Sequence, residues 1–186
     1  MKKLKQNLKS CLKKENFLVD IFLIGSALKS KTEPGDIDII SLFRDKDYEK
    51  IENINYKIKE IGDKLNLKLH IEPIIIDDLF NQKIYISILH EGFSIKNMKL
   101  ISEILKFEPD LLITYSLKDK KASDKVRFSY ALYGRKKGEG FLKDIKGKEV
   151  SKGSILVPID KQELVREFFR QWNISFNEQR ISIFKS

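Results

Sequence analysis

The feature that most constrains this chain is the run Phe17-Leu18-Val19-Asp20-Ile21-Phe22-Leu23-Ile24, which ends at Gly25. A half-exposed strand alternates apolar and polar side chains, whereas this run is apolar on both faces apart from Asp20. Such a strand is stable only in the middle of a sheet with cover on both sides. The preceding residues 3–14 carry Leu4, Leu8, Cys11 and Leu12 at helical spacing with lysines between them, which predicts an amphipathic helix. A basic stretch before an apolar one also imitates a secretory leader, but Asp20 interrupts the apolar part, so we expect helix then strand instead. No apolar run approaches the roughly 18 residues needed to span a bilayer, and a cytoplasmic protein with no membrane partner is expected. The single cysteine cannot form an internal disulfide. Cys11 falls on the apolar stripe, where a buried thiol in a reducing compartment is expected.

At 186 residues the chain allows one domain or a domain with a small extension. After Gly25 the pattern predicts a short helix over Ser26 to Ser30, a turn at Glu33-Pro34-Gly35 and a second strand over Asp36 to Leu42. Ile51, Ile54, Ile58, Ile61 and Leu65 recur at three and four residues, giving a helix with one core-facing stripe. A third strand is predicted over Leu67 to Ile76. Helices are expected near Ile84 to Leu89 and Met98 to Phe107, with a short extended piece, Gly92 to Lys96, between them. Beyond Phe107 the pattern restarts: an extended piece at Leu111 to Leu117, a helix over Ala122 to Tyr133 and a glycine-rich connection over 134–153. A strand at Ser154 to Val157, a helix at Lys161 to Trp172 and a strand-like tail at Ile174 to Phe184 follow. The expected fold is α/β, a core over 1–107 with a small mixed sheet and flanking helices, followed by a small C-terminal α/β extension over 108–186.

The chemistry concentrates in Ile24-Gly25-Ser26, nine intervening residues, then Asp36-Ile37-Asp38-Ile39. On a strand, alternate side chains share a face, so Asp36 and Asp38 point one way while Ile37 and Ile39 enter the core. Two like charges at that spacing repel, and a divalent metal is one way to compensate them. On the third strand His70, Glu72 and Ile74 share a face opposite Leu69 and Ile71. Glu72 could complete a three-carboxylate oxygen cage, although Pro73 removes a ladder donor there and points to an edge or a bulge.

A strand ending in Gly-Ser, a short helix, a strand bearing Asp-x-Asp and an acidic residue on a later strand resemble the DNA polymerase beta-like nucleotidyltransferase superfamily, particularly its small minimal members. Gly25, Ser26, Asp36 and Asp38 carry the resemblance, with Glu72 and the Glu91-Gly92 turn beside them, and it covers roughly residues 15–105. The resemblance implies a metal-dependent enzyme that moves a nucleoside monophosphate from an NTP to a hydroxyl acceptor, with ATP as the expected donor and Mg²⁺ or Mn²⁺ as the cofactor. Asp36, Asp38 and Glu72 would be the catalytic and metal-binding residues. Gly25, lacking a Cβ, would let backbone approach the phosphates, and Ser26 would open a helix whose free amides favour an anion. Lys29 and Lys31, in the loop of the motif, could meet phosphates. His70 is read as part of the rim.

The net charge of +9 is uneven: residues 1–106 carry +3 and residues 107–186 carry +6. Lys118 to Lys152 alone holds 12 basic and 5 acidic side chains. Within it Arg127, Tyr130, Tyr133, Arg135, Lys136 and Lys137 interleave bases with aromatics, a mixture suited to phosphate contact and base stacking. Arg135, Lys136 and Lys137 are the candidate nucleic-acid contacts, set against the plainer reading of a helix with a solvated basic face. Phe128, Leu132, Phe168, Phe169 and Trp172 read as core. The acceptor would be RNA, DNA or a protein. The alternative to an enzyme is a non-catalytic module of the same fold, or an antitoxin-like partner, that recognises nucleic acid or a protein.

Overall fold

The computed structural model describes residues 1–25, 36–135 and 139–184. The chain is α/β and divides into two compact units, Met1–Lys106 and Phe107–Ser186.

In the first unit, α1 (Lys2–Leu12) leads into β1 (Leu18–Ile24), followed by β2 (Asp36–Phe43), α2 (Tyr48–Asp63) and β3 (Lys68–Ile75). A 3₁₀ turn at Ile76–Asn81 precedes α3 (Ile84–Glu91), two short strands β4 (Phe93–Ser94) and β5 (Lys99–Leu100), and α4 (Ile101–Leu105). The strand order is β3-β2-β1-β4-β5. β2 and β3 run parallel, joined by the α2 crossover, and the other neighbours are antiparallel. β1 is therefore central, and its apolar run is explained by cover on both faces. Ile21 and Leu23 pack with Leu4 and Leu8 of α1 and with Ile51, Ile54 and Ile58 of α2. Phe22 and Ile24 pack on the opposite face with Ile40, Leu42, Ile74 and Ile88 of α3.

Asp20, the polar interruption, is buried where the β1–β2 register slips. Its carboxylate accepts hydrogen bonds from Ile21 N at 2.7 Å, Ser94 Oγ at 2.6 Å and Lys96 N at 2.9 Å, tying β1 to the segment after β4. Burial still pushes its pKa up. Gly92 ends α3 in ordinary extended backbone, and its lack of a Cβ is required by proximity: a Cβ there would lie 2.4 Å from the Ile88 carbonyl oxygen.

The second unit is a four-stranded antiparallel sheet, order β7-β8-β6-β9, with β6 Phe107–Tyr115, β7 Lys148–Ser151, β8 Ser154–Pro158 and β9 Phe176–Phe184. Two helices, α5 (Ala122–Tyr133) and α7 (Gln162–Gln171), and a single turn, α6 (Phe141–Asp144), accompany it. Leu111, Ile113, Ile155 and Val157 of the sheet meet Phe128 and Leu132 of α5 and Val165 and Phe169 of α7 in one core. Phe168 and Trp172 are only partly buried against it. Arg166 of α7 is fixed to Glu178 of β9 by paired hydrogen bonds, and Gln162 Nε2 donates to the same carboxylate at 3.1 Å.

Several boundaries differ from the sequence expectation. The helix expected over Met98 to Phe107 is only α4, because Lys106 turns into the left-handed region (φ 58°) and releases Phe107 into β6. Pro109 is the third residue of β6, before pairing with β8 begins at Asp110, and it stands opposite Ser182 of β9. β7 lies in the stretch read as a loop. Cys11 is half-buried rather than buried, and burial pushes its thiol pKa up. The short helix and turn expected between Ser26 and Gly35 lie outside the described residues. No described helix is long and apolar enough to cross a membrane.

Candidate active site

β2 carries two kinds of side chain on its α3-facing side. Ile40 and Leu42 join the apolar cluster with Ile88, whereas Asp36 and Asp38, at the start of the strand, are exposed. Ile37 and Ile39 between them are buried on the other face. The alternation that is visible in the sequence thus becomes two carboxylates side by side where the helical cover stops. Each retains 55% of its side-chain exposure.

Gly25 closes the third side. Ile24 pairs with Asp38 across the β1–β2 ladder, so the next residue lies beside the carboxylates. Its φ is +85°, a left-handed conformation that favours glycine, and a Cβ there would stand 3.2 Å from Asp38 Oδ2. The backbone at this turn is bare on the side of the carboxylate. Ser26 and Lys29 lie outside the described residues.

The parallel β2–β3 register decides what meets the aspartates from the other side. Asp36 is opposite Lys68, Asp38 is opposite His70, and Glu72 is opposite Ile40. Lys68 Nζ is 3.1 Å from Asp36 Oδ1, and His70 Nδ1 is 3.3 Å from Asp38 Oδ1. Glu72 is on the same face and exposed, but two residues beyond His70, about 6.6 Å farther along the strand. Among the described residues no group of three or more His, Cys, Asp or Glu is gathered as a metal site. The expected three-carboxylate set is therefore a pair, with Glu72 set apart by register. Pro73 follows Glu72 on β3, the edge strand of its sheet, where a missing N–H is tolerated.

Nothing in the sequence of β3 alone marks Lys68, and His70 reads there only as rim. The signal that would have found them is the alignment of β2 with β3, which neither strand reveals alone. Both side chains are exposed, 79% for Lys68 and 74% for His70, and exposed ion pairs contribute at most about 1 kcal/mol. A divalent cation could displace them cheaply. Two carboxylate oxygen donors with bare backbone alongside suit Mg²⁺, which prefers one or two carboxylates and completes its shell with water and substrate phosphate. The residues thus fit a metal shared with a substrate better than a closed protein cage.

In the second unit, Arg135 is exposed just past the end of α5, its guanidinium 5.4 Å from the Tyr130 ring centroid. Lys136 and Lys137 lie outside the described residues. Comparison of this chain with protein-family models and with curated proteins returns no match.

Proposed function

We propose that the chain is a metal-dependent nucleotidyltransferase that moves a nucleoside monophosphate from an NTP, ATP first among them, to a hydroxyl acceptor. One observation carries this reading: exposed Asp36 and Asp38 share a strand face beside the left-handed, Cβ-less backbone of Gly25. Asp36 and Asp38 would hold Mg²⁺ or Mn²⁺, which when bound neutralises phosphate charge and lowers the pKa of an acceptor hydroxyl. Gly25 keeps the carboxylates' flank open to phosphate oxygens. Lys68 and His70, displaced from the carboxylates, become donors on the same face, and Glu72 is the group assigned to the acceptor's proton. Phosphoryl transfer relies on positioning and charge neutralisation, which this set can supply without a covalent protein intermediate.

The test is calorimetric titration of the full chain with each NTP in the presence and absence of Mg²⁺, followed by a transfer assay on Asp38→Asn. Metal-dependent NTP binding and a loss of transfer greater than about 100-fold, beyond the usual cost of altering an outer-shell group, are expected. Transfer at the parental rate by the folded variant overturns the metal assignment.

A second reading, a non-catalytic module of this fold or an antitoxin-like partner, is favoured by the pairing of each aspartate with a base of β3. In that case Asp36 is compensated by Lys68, and Asp38 has His70 Nδ1 beside it as a neighbour. NTP binding is then absent with or without metal, and a macromolecular partner co-purifies.

A further inference from the structure

The second unit has a cleft of about 710 Å³ between the end of β6, one face of α5 and the β7–β8 turn. Lys125, Ser129 and Tyr133 line it from α5 at intervals of four residues, which brings them onto one stripe of the helix. Lys118 enters from the loop after β6 and Lys152 from the β7–β8 turn. Three lysines therefore converge on one concavity from three elements. Lys125 Nζ donates to the Lys118 carbonyl oxygen at 3.3 Å, and none of the three is in an ion pair with a described carboxylate.

Among the described residues that line the cleft, the carboxylate is Glu149 of β7. The Tyr115 and Tyr133 hydroxyls lie 2.8 Å apart and share a hydrogen bond. Burial and this neighbourhood push the Tyr133 phenol pKa well up, and both phenols stay protonated at neutral pH. An ionised carboxylate only accepts hydrogen bonds. A bare inorganic anion would gain from the lysines and lose to Glu149. A ligand that joins a phosphate to hydroxyl or N–H donors a few ångströms away satisfies both, and the volume falls within the range of small-molecule sites.

We infer that this cleft binds a ribonucleotide unit, with Lys118, Lys125 and Lys152 on its phosphate and Glu149 accepting from its ribose hydroxyl or base N–H. The site belongs to the second unit alone and does not depend on the β2 carboxylates. The ribonucleotide is either free or part of an RNA strand.

The full chain is titrated in EDTA, which silences any metal site, with the four ribonucleoside 5′-monophosphates and with a fluorescein-labelled mixed-sequence RNA decamer. Saturable binding of a monophosphate identifies a free nucleotide as the source, and binding of the decamer alone identifies an RNA strand. Lys125→Gln combined with Lys152→Gln should weaken the bound probe by at least about tenfold, the loss of a charge-assisted hydrogen bond. Glu149→Gln should weaken the ribonucleotide while leaving competition by inorganic phosphate unchanged or stronger. Lys152→Gln alone, in an exposed turn, repeats the charge test without touching the helix. Asp38→Asn should bind as the parent does. Absence of binding by either probe at low salt, or lysine variants within twofold of the parent, overturns the inference. Loss of binding in Asp38→Asn overturns it too, by returning the ligand to the first unit.

Discussion

Gly25 is where one missing methyl group meets two demands. Its φ of +85° strains any other L-residue by about 1–2 kcal/mol, and a Cβ would crowd Asp38 Oδ2 at 3.2 Å. Gly25→Ala should therefore lower both stability and NTP affinity, a broader effect than the loss of phosphate approach that the sequence alone suggests. Thermal denaturation and calorimetry on the same variant separate the two. Parental stability together with parental NTP affinity would show that neither the backbone conformation nor the contact matters. The pairing of Asp36 with Asp38 was legible in the sequence because strand alternation is a local rule. The partners Lys68 and His70 were not, since they depend on which residue of β3 stands opposite which residue of β2. That register is set by packing on both faces of the sheet, and Glu72 falls out of the carboxylate group for the same reason.

At the scale of elements, local pattern served wherever an element buries one stripe. The α5 bounds follow from Phe128 and Leu132, both buried, and from Gly134 just beyond the helix. β7 was illegible because all four of its residues are exposed, so no alternation marks it. The contact between α7 and β9 yields a pH prediction. The Arg166 guanidinium bonded to Glu178 holds that carboxyl below its ordinary value of 4.5. A depressed carboxyl contributes stability that is present above the ordinary carboxylate range and is lost as pH falls through the folded value. Glu178→Gln should cost about 1–2 kcal/mol near neutral pH, discounted for partial exposure, and the difference from the parent should shrink as the medium is acidified below pH ~4. Urea denaturation across pH measures it, and a pH-independent difference would remove the ion pair from the account. Gly92→Ala is a purely steric counterpart. A Cβ 2.4 Å from the Ile88 carbonyl forces α3 to shift, and a loss of about 1–3 kcal/mol should appear as a lower melting temperature. An unchanged melting temperature would mean that the helix end yields freely.

For the whole molecule, the charge asymmetry falls on the structural division: net +3 over residues 1–106 and +6 over 107–186. If the second unit contacts a polyanion through several lysines and arginines, affinity should fall with salt at a log-log slope of roughly −0.7 per contact for single strands. Replacing Arg135, Lys136 and Lys137 with Gln should make that slope shallower in an RNA-binding titration between low and physiological salt. An unchanged slope would take those residues out of the contact. Composition could point to such a partner, but it could not locate a cleft. The residues that build one, Tyr115, Lys125 and Lys152, come from β6, α5 and the β7–β8 turn, and only the fold brings them together.

The ladder between β6 and β9 joins Phe107 to Phe184, the first and last described strands of the second unit, and β6 sits between β8 and β9. During synthesis the ribosome releases β6 long before β9, so this inner strand waits with its β9 edge unpaired. Pairing across so long a sequence separation is slow, and an open strand edge invites other chains. The second unit thus completes its sheet only when nearly all of its sequence has left the exit tunnel. A chain that stops near residue 175 lacks β9 and leaves that edge of β6 unpaired.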